Sequence, residues 1–302
     1  MNPKQIESVA VDVDAGHVVE QIADVVRNGQ CILFLGAAVH APPPADSRYL
    51  YPEAQRPPLG SALSRSLAEA CELGKRFPHE DSANLQRVAL FFEIERSRPQ
   101  LVEAIRNAVQ VGKEPSPVVR ALAQFDFPRV ITTNYDQLFE DALRLAGKHP
   151  RVSVYTPKLE PTSDPPNPTA ENPIVYKIHG DIDQPETIVV TDEDYIQFLL
   201  RMSNKEPYDP IPLKLKADLT ERKTLFVGYS LLDYNLRLLF KALRWGIDPA
   251  NTPDMYSVDR SPDPLIFDVW QDQRRYVKFI VQDVWAFVPQ LYGLVLGKEM
   301  PD

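Results

Sequence analysis

The chain has 302 residues, of which 44% are hydrophobic and 25% charged, and it carries a formal net charge of −9. That composition is of a soluble globular protein long enough to bury a full core, and the acidic balance excludes a general nucleic-acid-binding surface. Two cysteines, Cys31 and Cys71, without a C-x-x-C spacing exclude a four-cysteine zinc module and suit a reducing compartment.

No apolar run approaches the length of a membrane span, and the first residues lack the apolar stretch of a signal peptide, so the expected location is the cytoplasm, with no membrane partner. Apolar residues at 18, 19, 22, 25 and 26 predict an amphipathic helix over 17–28, closed by Gly29. The run C-I-L-F-L-G, residues 31–36, is continuously apolar and stops at glycine, the pattern of a central parallel strand covered on both faces. Gly36-Ala37-Ala38-Val39-His40 follows, with small residues where a chain turns tightly, and looks like a phosphate-binding strand–turn. A proline-rich loop then leads into four predicted helices, over 61–73, 84–96, 100–109 and 116–125. The chain reads as one domain, residues 1–302, with a helical insertion over 41–125 whose helices begin at about 61. Its arginines, Arg56, Arg65, Arg76, Arg87, Arg96 and Arg98, read as a solvated face or a partner surface.

The stretch V-I-T-T-N-Y-D-Q-L-F-E-D-A, from Val130 to Ala142, is read as a buried strand passing at once into a helix, with Asn134 at the helix cap and Gln137 in the capping-box position. Further strands are predicted at Arg151–Tyr155 and Pro173–Ile178, on either side of a Pro/Asn/Thr/Ser loop over 156–173 of lid length. The second strand runs into His179-Gly180-Asp181-Ile182-Asp183. Thr191 and Asp194 form a capping box before a helix, and a charged helix is predicted over 209–222. The strand Thr224–Val227 ends in Gly228-Tyr229-Ser230-Leu231-Leu232-Asp233, where Ser230 and Asp233 have capping-box spacing. Strands at Met255–Val258, followed by Asp259, and at Tyr276–Ile280 precede an apolar helix over Val284–Leu296. Strands alternating with helices in this way predict an α/β fold, a doubly wound, mainly parallel Rossmann-like sheet. In a parallel sheet the strand ends Gly36, Asn134, His179 and Gly228 share one edge, where such sheets bind ligands.

F-L-G-A-A, T-T-N-Y-D, K-I-H-G-D, T-D-E-D-Y and V-G-Y-S-L-L-D-Y-N-L-R occur in that order. In combination they resemble the sirtuin-like superfamily, specifically its bacterial branch of NAD-hydrolysing antiphage-defence proteins. The resemblance implies NAD as substrate and no metal. It implies that Asn134 positions the nicotinamide ribose and the attacking water, that Asp136 lies near the nicotinamide end, and that His179 contacts ribose hydroxyls and serves as general base. It implies that Gly36, Ala37 and Ala38 hold the pyrophosphate with Thr133 beside them, that Gly228, Ser230 and Asp233 surround the adenosine half, and that Asp259 touches its ribose. Two positions depart from the family pattern: Ala38 stands where a second glycine is usual, and His40 where a serine is usual.

The implied activity is hydrolysis of NAD to nicotinamide and ADP-ribose, or to a cyclised isomer. Three other readings compete. An NAD-dependent deacylase would share the sheet, but the deacylases it resembles carry the zinc module excluded above. A non-catalytic nucleotide-sensing scaffold would not need both Asn134 and His179. His179, Asp181 and Asp183 alternate as H-x-D-x-D and, on an extended strand, would face one way as ligands of a metal-dependent phosphoesterase. By analogy with short catalytic chains of the family, the protein is expected to form a homo-oligomer and to work with a separate HerA-like ring ATPase, meeting nucleic acid only through that partner. The apolar C-terminal helix and the arginine-bearing insertion are the expected contact surfaces.

Overall fold

The computed structural model describes residues 15–158, 167–203, 210–229, 231, 253–264 and 277–302. Helix α1 (Ala15–Arg27) leads into strand β1 (Cys31–Leu35), all five residues of which are buried. Four helices follow: α2 (Gly60–Ala70), α3 (Leu73–Arg76), α4 (Leu85–Glu95) and α5 (Arg98–Val109). Among the described residues, the remaining helices and strands are α6 (Pro117–Gln124), β2 (Arg129–Thr132), α7 (Leu138–Leu145), β3 (Arg151–Val154), β4 (Ile174–Lys177), α8 (Asp192–Ser203), α9 (Leu213–Glu221), β5 (Lys223–Val227), β6 (Met255–Val258), β7 (Val277–Ile280) and α10 (Val284–Leu296).

The seven strands form one sheet in the order β3-β4-β2-β1-β5-β6-β7, every pair parallel. The continuous apolar runs have a direct physical cause, since alternate residues of each strand face different helix layers. Cys31, Leu33 and Leu35 of β1 join a core with α1, α6, α7 and α10, whereas Ile32 and Phe34 join a second core with α8 and α9. Each fully buried aliphatic or aromatic side chain contributes roughly 1.5–3 kcal/mol, so both faces of a central strand must be apolar. From β1 the chain first builds toward β2, β4 and β3, then crosses to β5, β6 and β7. The winding therefore reverses at β1, and the carboxyl ends beside β1 form the crevice of a doubly wound sheet.

Helices α2 to α5 stand in the chain between β1 and β2 and bury a third core. It contains Leu63, Leu67, Val88, Phe92, Leu101 and Ile105, and it also takes in Ile182, Ile188 and Val190 from the loop beyond β4. Helix α6 belongs instead to the core with α1 and α10. The apolar C-terminal helix α10 is not a free contact surface. Phe287, Val288 and Leu291 are fully buried against that core, which is why the helix is apolar around most of its circumference. Among the described residues, no helix is long and apolar enough to cross a membrane.

One backbone contact fixes the ends of β1 and β5. The Gly36 N–H donates to the Val227 carbonyl (2.9 Å), and the Ala38 N–H donates to the Gly228 carbonyl (3.0 Å). Gly228 has φ +76°, and a Cβ there would lie 2.4 Å from the Val39 nitrogen and 2.6 Å from the Gly36 oxygen. Gly228→Ala is expected to lose about 2 kcal/mol or more, combining left-handed strain with overpacking, read as a lowered urea midpoint. An unchanged midpoint would remove the contact from the account of the fold.

Candidate active site

Strand β2 delivers the T-T-N-Y-D turn to the sheet edge. The Thr132 hydroxyl donates to the Leu35 carbonyl (2.8 Å) and accepts from the Asn134 N–H (3.0 Å), locking the turn to the end of β1. The predicted Asn134–Gln137 capping box does not form. Helix α7 starts only at Leu138, whose N–H is accepted by Asp136 Oδ1 (3.0 Å). Gln137 is held elsewhere: its N–H donates to Gln110 Oε1 (2.8 Å) and its Nε2 to Asp181 Oδ1 (3.1 Å). Asn134 is therefore no cap. It is buried, and its Oδ1 has no hydrogen-bond partner among the described residues.

What holds this turn is a residue that sequence reasoning passed over. Lys177, the last residue of β4, has 0% of its side chain exposed. Its ammonium donates to the backbone carbonyls of Tyr135 (3.1 Å) and Asp136 (2.5 Å) and pairs with Asp181 (2.9 Å) and Glu140 (3.2 Å). Burial opposes its charge, but Glu140, Asp181 and Asp136 outweigh burial, and its pKa lies above the ordinary lysine value. For Asp136, burial pushes the carboxyl up, but His40, Lys177 and the Leu138 N–H together hold it below the usual range. Glu140 moves the other way, because burial there exceeds the pull of Lys177. The sequence signal was an ionisable residue closing an apolar strand four positions before an aspartate, which reads equally well as a strand end reaching solvent.

Beyond Lys177 the backbone turns sharply. Gly180 has φ +90°, and a Cβ there would lie 2.2 Å from the Thr187 carbonyl oxygen. The segment is a turn, so the extended H-x-D-x-D arrangement does not exist. Asp181 is engaged by Lys177 and Gln137, and Asp183 pairs with Arg106 at 2.6 Å, so these carboxylates have cationic partners and do not converge with His179 on a metal. His179 is 6% exposed. Its Nδ1 lies 3.4 Å from the Tyr195 hydroxyl, and its ring meets Tyr195 and Phe198 edge-on. Burial among these rings depresses its pKa to about 3, so the imidazole is neutral at physiological pH.

The insertion arginines also need correction at Arg98. It donates to the Ile188 carbonyl (2.5 Å) and pairs with Asp194 (2.7 Å) and Glu93 (3.1 Å). Arg106 likewise donates to the Ile182 carbonyl. Together they tie α5 to the loop after His179 and to the cap of α8. That cap is the predicted capping box: Asp194 N–H to Thr191 Oγ1 (3.1 Å) and Thr191 N–H to Asp194 Oδ2 (3.0 Å).

These elements enclose a cavity of about 320 Å³. Of the predicted residues, Ala37, Thr133, Asn134, Asp136 and His179 line it. Gly36, Ala38 and Gly228 form the backbone contact at the ends of β1 and β5 and are not in its lining. The Ala38 N–H is already bonded to Gly228, and residues 37–40 form a single 3₁₀ turn that no α-helix continues. Thr133 is bonded to the Tyr229 hydroxyl (2.6 Å). Asp259 follows β6 outside the lining, its carboxylate accepting from the Ser261 N–H (2.9 Å). Ser230 and Asp233 lie outside the described residues. Sequence reasoning marked His40 only as a departure from the family pattern, and it missed Tyr195 and the wall that the helical layer supplies through Pro57, Ser61, Asn84 and Gln86.

A doubly wound parallel sheet with a partly apolar cavity at its carboxyl edge, holding an unpaired asparagine oxygen and a neutral histidine, is a nucleotide-site architecture of the α/β class. Within that class, the chain belongs to the SIR2-like domain family, whose model matches residues 128–279. It is 28% identical to the NAD(+) hydrolase ThsA of Enterococcus faecium, across 80% of this chain and 45% of that protein. It is 32% identical to the NAD(+) hydrolase ThsA of Bacillus cereus (strain MSX-D12), across 53% of this chain and 32% of that protein. Identity to Defense-associated sirtuin 2 of Bacillus subtilis is 23%, across 83% of this chain and 23% of that protein. The chain spans less than half the length of these relatives.

Two stability predictions follow from the charges. Lys177→Met leaves buried carboxylates without their cation and is expected to cost about 3–5 kcal/mol at neutral pH. In the parent, the lowered Asp136 value contributes stability that is lost as pH falls through it. In the variant the unpaired carboxylates gain from protonation, so its deficit in urea unfolding should narrow from pH 7 to pH 5; a deficit that widens would refute the clamp. His179 works with the opposite sign to a salt-bridged histidine. Because the folded value is about 3 and the ordinary value 6.5, stability falls as pH drops below 6.5, and His179→Gln should reduce that slope by one proton.

Proposed function

We propose that this chain hydrolyses the N-glycosidic bond of NAD, giving nicotinamide and ADP-ribose. The observation that carries the reading is the buried, unpartnered Asn134 Oδ1 sharing one cavity with a neutral His179. A buried acceptor without a partner is costly unless a ligand or water completes it. The bond to be broken already has a good leaving group, since nicotinamide departs neutral from a cationic ring. Cleavage builds oxocarbenium character on the ribose, and the site must hold the sugar, keep bulk water out and place one water at the anomeric carbon. An asparagine amide suits the water, accepting through Oδ1 and donating through Nδ2. His179, neutral and flanked by rings, suits a ribose hydroxyl as a hydrogen-bond acceptor. The cavity, about 320 Å³, is at the small end of ligand pockets and fits the nicotinamide–ribose half. The pyrophosphate would then extend toward Gly36, Ala37 and Ala38, and the adenosine toward Gly228 and Asp259. Attack by an adenine nitrogen in place of water would give the cyclic isomer.

The names of the relatives, NAD(+) hydrolase and defence-associated sirtuin, support this chemistry and a part in antiphage defence through NAD depletion. An enzyme that drains NAD has to be restrained. Our reading is a cytoplasmic homo-oligomer governed by assembly, with a HerA-like ring ATPase as partner and nucleic acid met only through it. Light scattering alone and with such an ATPase tests this part; a monomer in both would end it.

The activity test is incubation with NAD and chromatography of nicotinamide and ADP-ribose. Asn134→Ala and His179→Ala should each lower nicotinamide release at least about a hundredfold. Asn134→Ala should also leave the urea midpoint almost unchanged, since the side-chain oxygen has no protein bond to lose. Release at the parent rate from either variant would overturn the assignment.

A further inference from the structure

The cavity holds a second imidazole. His40 is 3% exposed and lines the same space as Asn134 and His179. Its Nε2 lies 3.6 Å from Asp136 Oδ2, and its Nδ1 is buried without a hydrogen-bond partner among the described residues. Asp136 is not free to turn away. Its Oδ1 accepts from the first N–H of α7, and its own carbonyl is held by the Lys177 ammonium at 2.5 Å. The carboxylate therefore presents its second oxygen to His40 in a fixed direction. An imidazole that directs Nε2–H at a carboxylate carries its lone pair on Nδ1, and the carboxylate stabilises the cation formed when Nδ1 takes a proton.

His179 has none of this support. Tyr195 and Phe198 surround its ring, and among the described residues no carboxylate pairs with it. Two imidazoles in one cavity thus have opposite surroundings, the arrangement that separates an uncharged acceptor from a proton carrier.

We propose that His40, oriented by Asp136, is the base that receives the proton of the attacking water, while His179 is the acceptor for the ribose. This rests on the NAD hydrolysis reading above. In the step, the water oxygen bonds to the anomeric carbon as the bond from that carbon to the nicotinamide nitrogen breaks. The bonding pair neutralises the pyridinium ring, and the water's proton passes to His40 Nδ1. The charged and titratable groups facing His40 are Asp136, with Lys177 and Glu140 behind it. Tyr51 feels the Asp136 charge and has Arg56, Arg120 and Glu114 beyond it, and His179 and Tyr195 complete the cavity.

The test is the pH dependence of kcat for the parent chain and His40→Gln, paired with nitrogen-15 histidine spectra of the full chain. The parent should lose kcat on the acid side with the uptake of one proton. His40→Gln should be slower by about a hundredfold and flat over the same range. A variant that keeps the parent rate, or keeps the acid limb, overturns the proposal while leaving NAD hydrolysis intact. A parent that releases no nicotinamide, either alone or with the ring ATPase of the functional reading, defeats that reading and this proposal with it. The spectra judge the dyad without turnover: the resonance missing from His40→Gln should be the Nε2–H tautomer, while that of His179 stays neutral. An Nδ1–H tautomer for His40 overturns it.

Discussion

The structure depends on one buried ammonium. Placing Lys177 inside the fold costs several kcal/mol in lost hydration, and nothing at the end of an apolar strand repays that by itself. The compensation comes from three separate places in the chain: the carbonyls of the β2–α7 turn, Glu140 in the first turn of α7, and Asp181 beyond β4. Because one cation needs all of them, the two turns that carry Asn134 and His179 cannot move independently. A clamp of this kind is weak evidence for stability, since a well-packed apolar replacement of all partners could do as well. It does fix geometry, and geometry is what an asparagine and a histidine on different strands require.

The fold was legible in the sequence because its signals are local. A strand covered on both faces must be apolar throughout, and glycine or a polar run ends it, so β1, β2, β4, β5 and β6 could be placed within a residue or so. The Thr191–Asp194 cap was equally readable, since both of its partners lie within four residues. The site was legible only in part, and the failures share a cause. The Asn134–Gln137 box has the right spacing, but tertiary bonds from Gln110 and Asp181 take Gln137 away, and the helix starts a turn later. Lys177 and Arg98 look like solvent-facing charges until the partners arrive from distant segments. The C-terminal helix looks like a sticky surface for the reverse reason: apolarity does not say whether the covering partner is another molecule or α1 and α6 of the same chain.

The helical layer between β1 and β2 is more than an ornament on the sheet. Its core includes Ile182, Ile188 and Val190, so the loop that follows His179 is buried against it rather than against the sheet. Arg98 and Arg106 reinforce the same junction by binding carbonyls of that loop. The loop that carries on from His179 is thus held by β4 and α5, while the aromatic surroundings of its ring come from Tyr195 and Phe198 of α8.

The family match covers residues 128–279, whereas much of the cavity wall comes from residues before it: Ala37, His40, Pro57, Ser61, Asn84 and Gln86. The matched part supplies the sheet edge, the asparagine and the histidine on it, and the lysine that joins them. The unmatched part supplies the other side of the cavity. The first set carries Asn134 and His179, and the second adds His40, the base proposed above. What the cavity excludes, and how readily a ligand enters, belongs with the second, because those depend on the shape and packing of a wall that the shared sheet does not dictate. Two relatives with the same sheet edge could then differ in turnover and restraint through residues that lie outside the part they share.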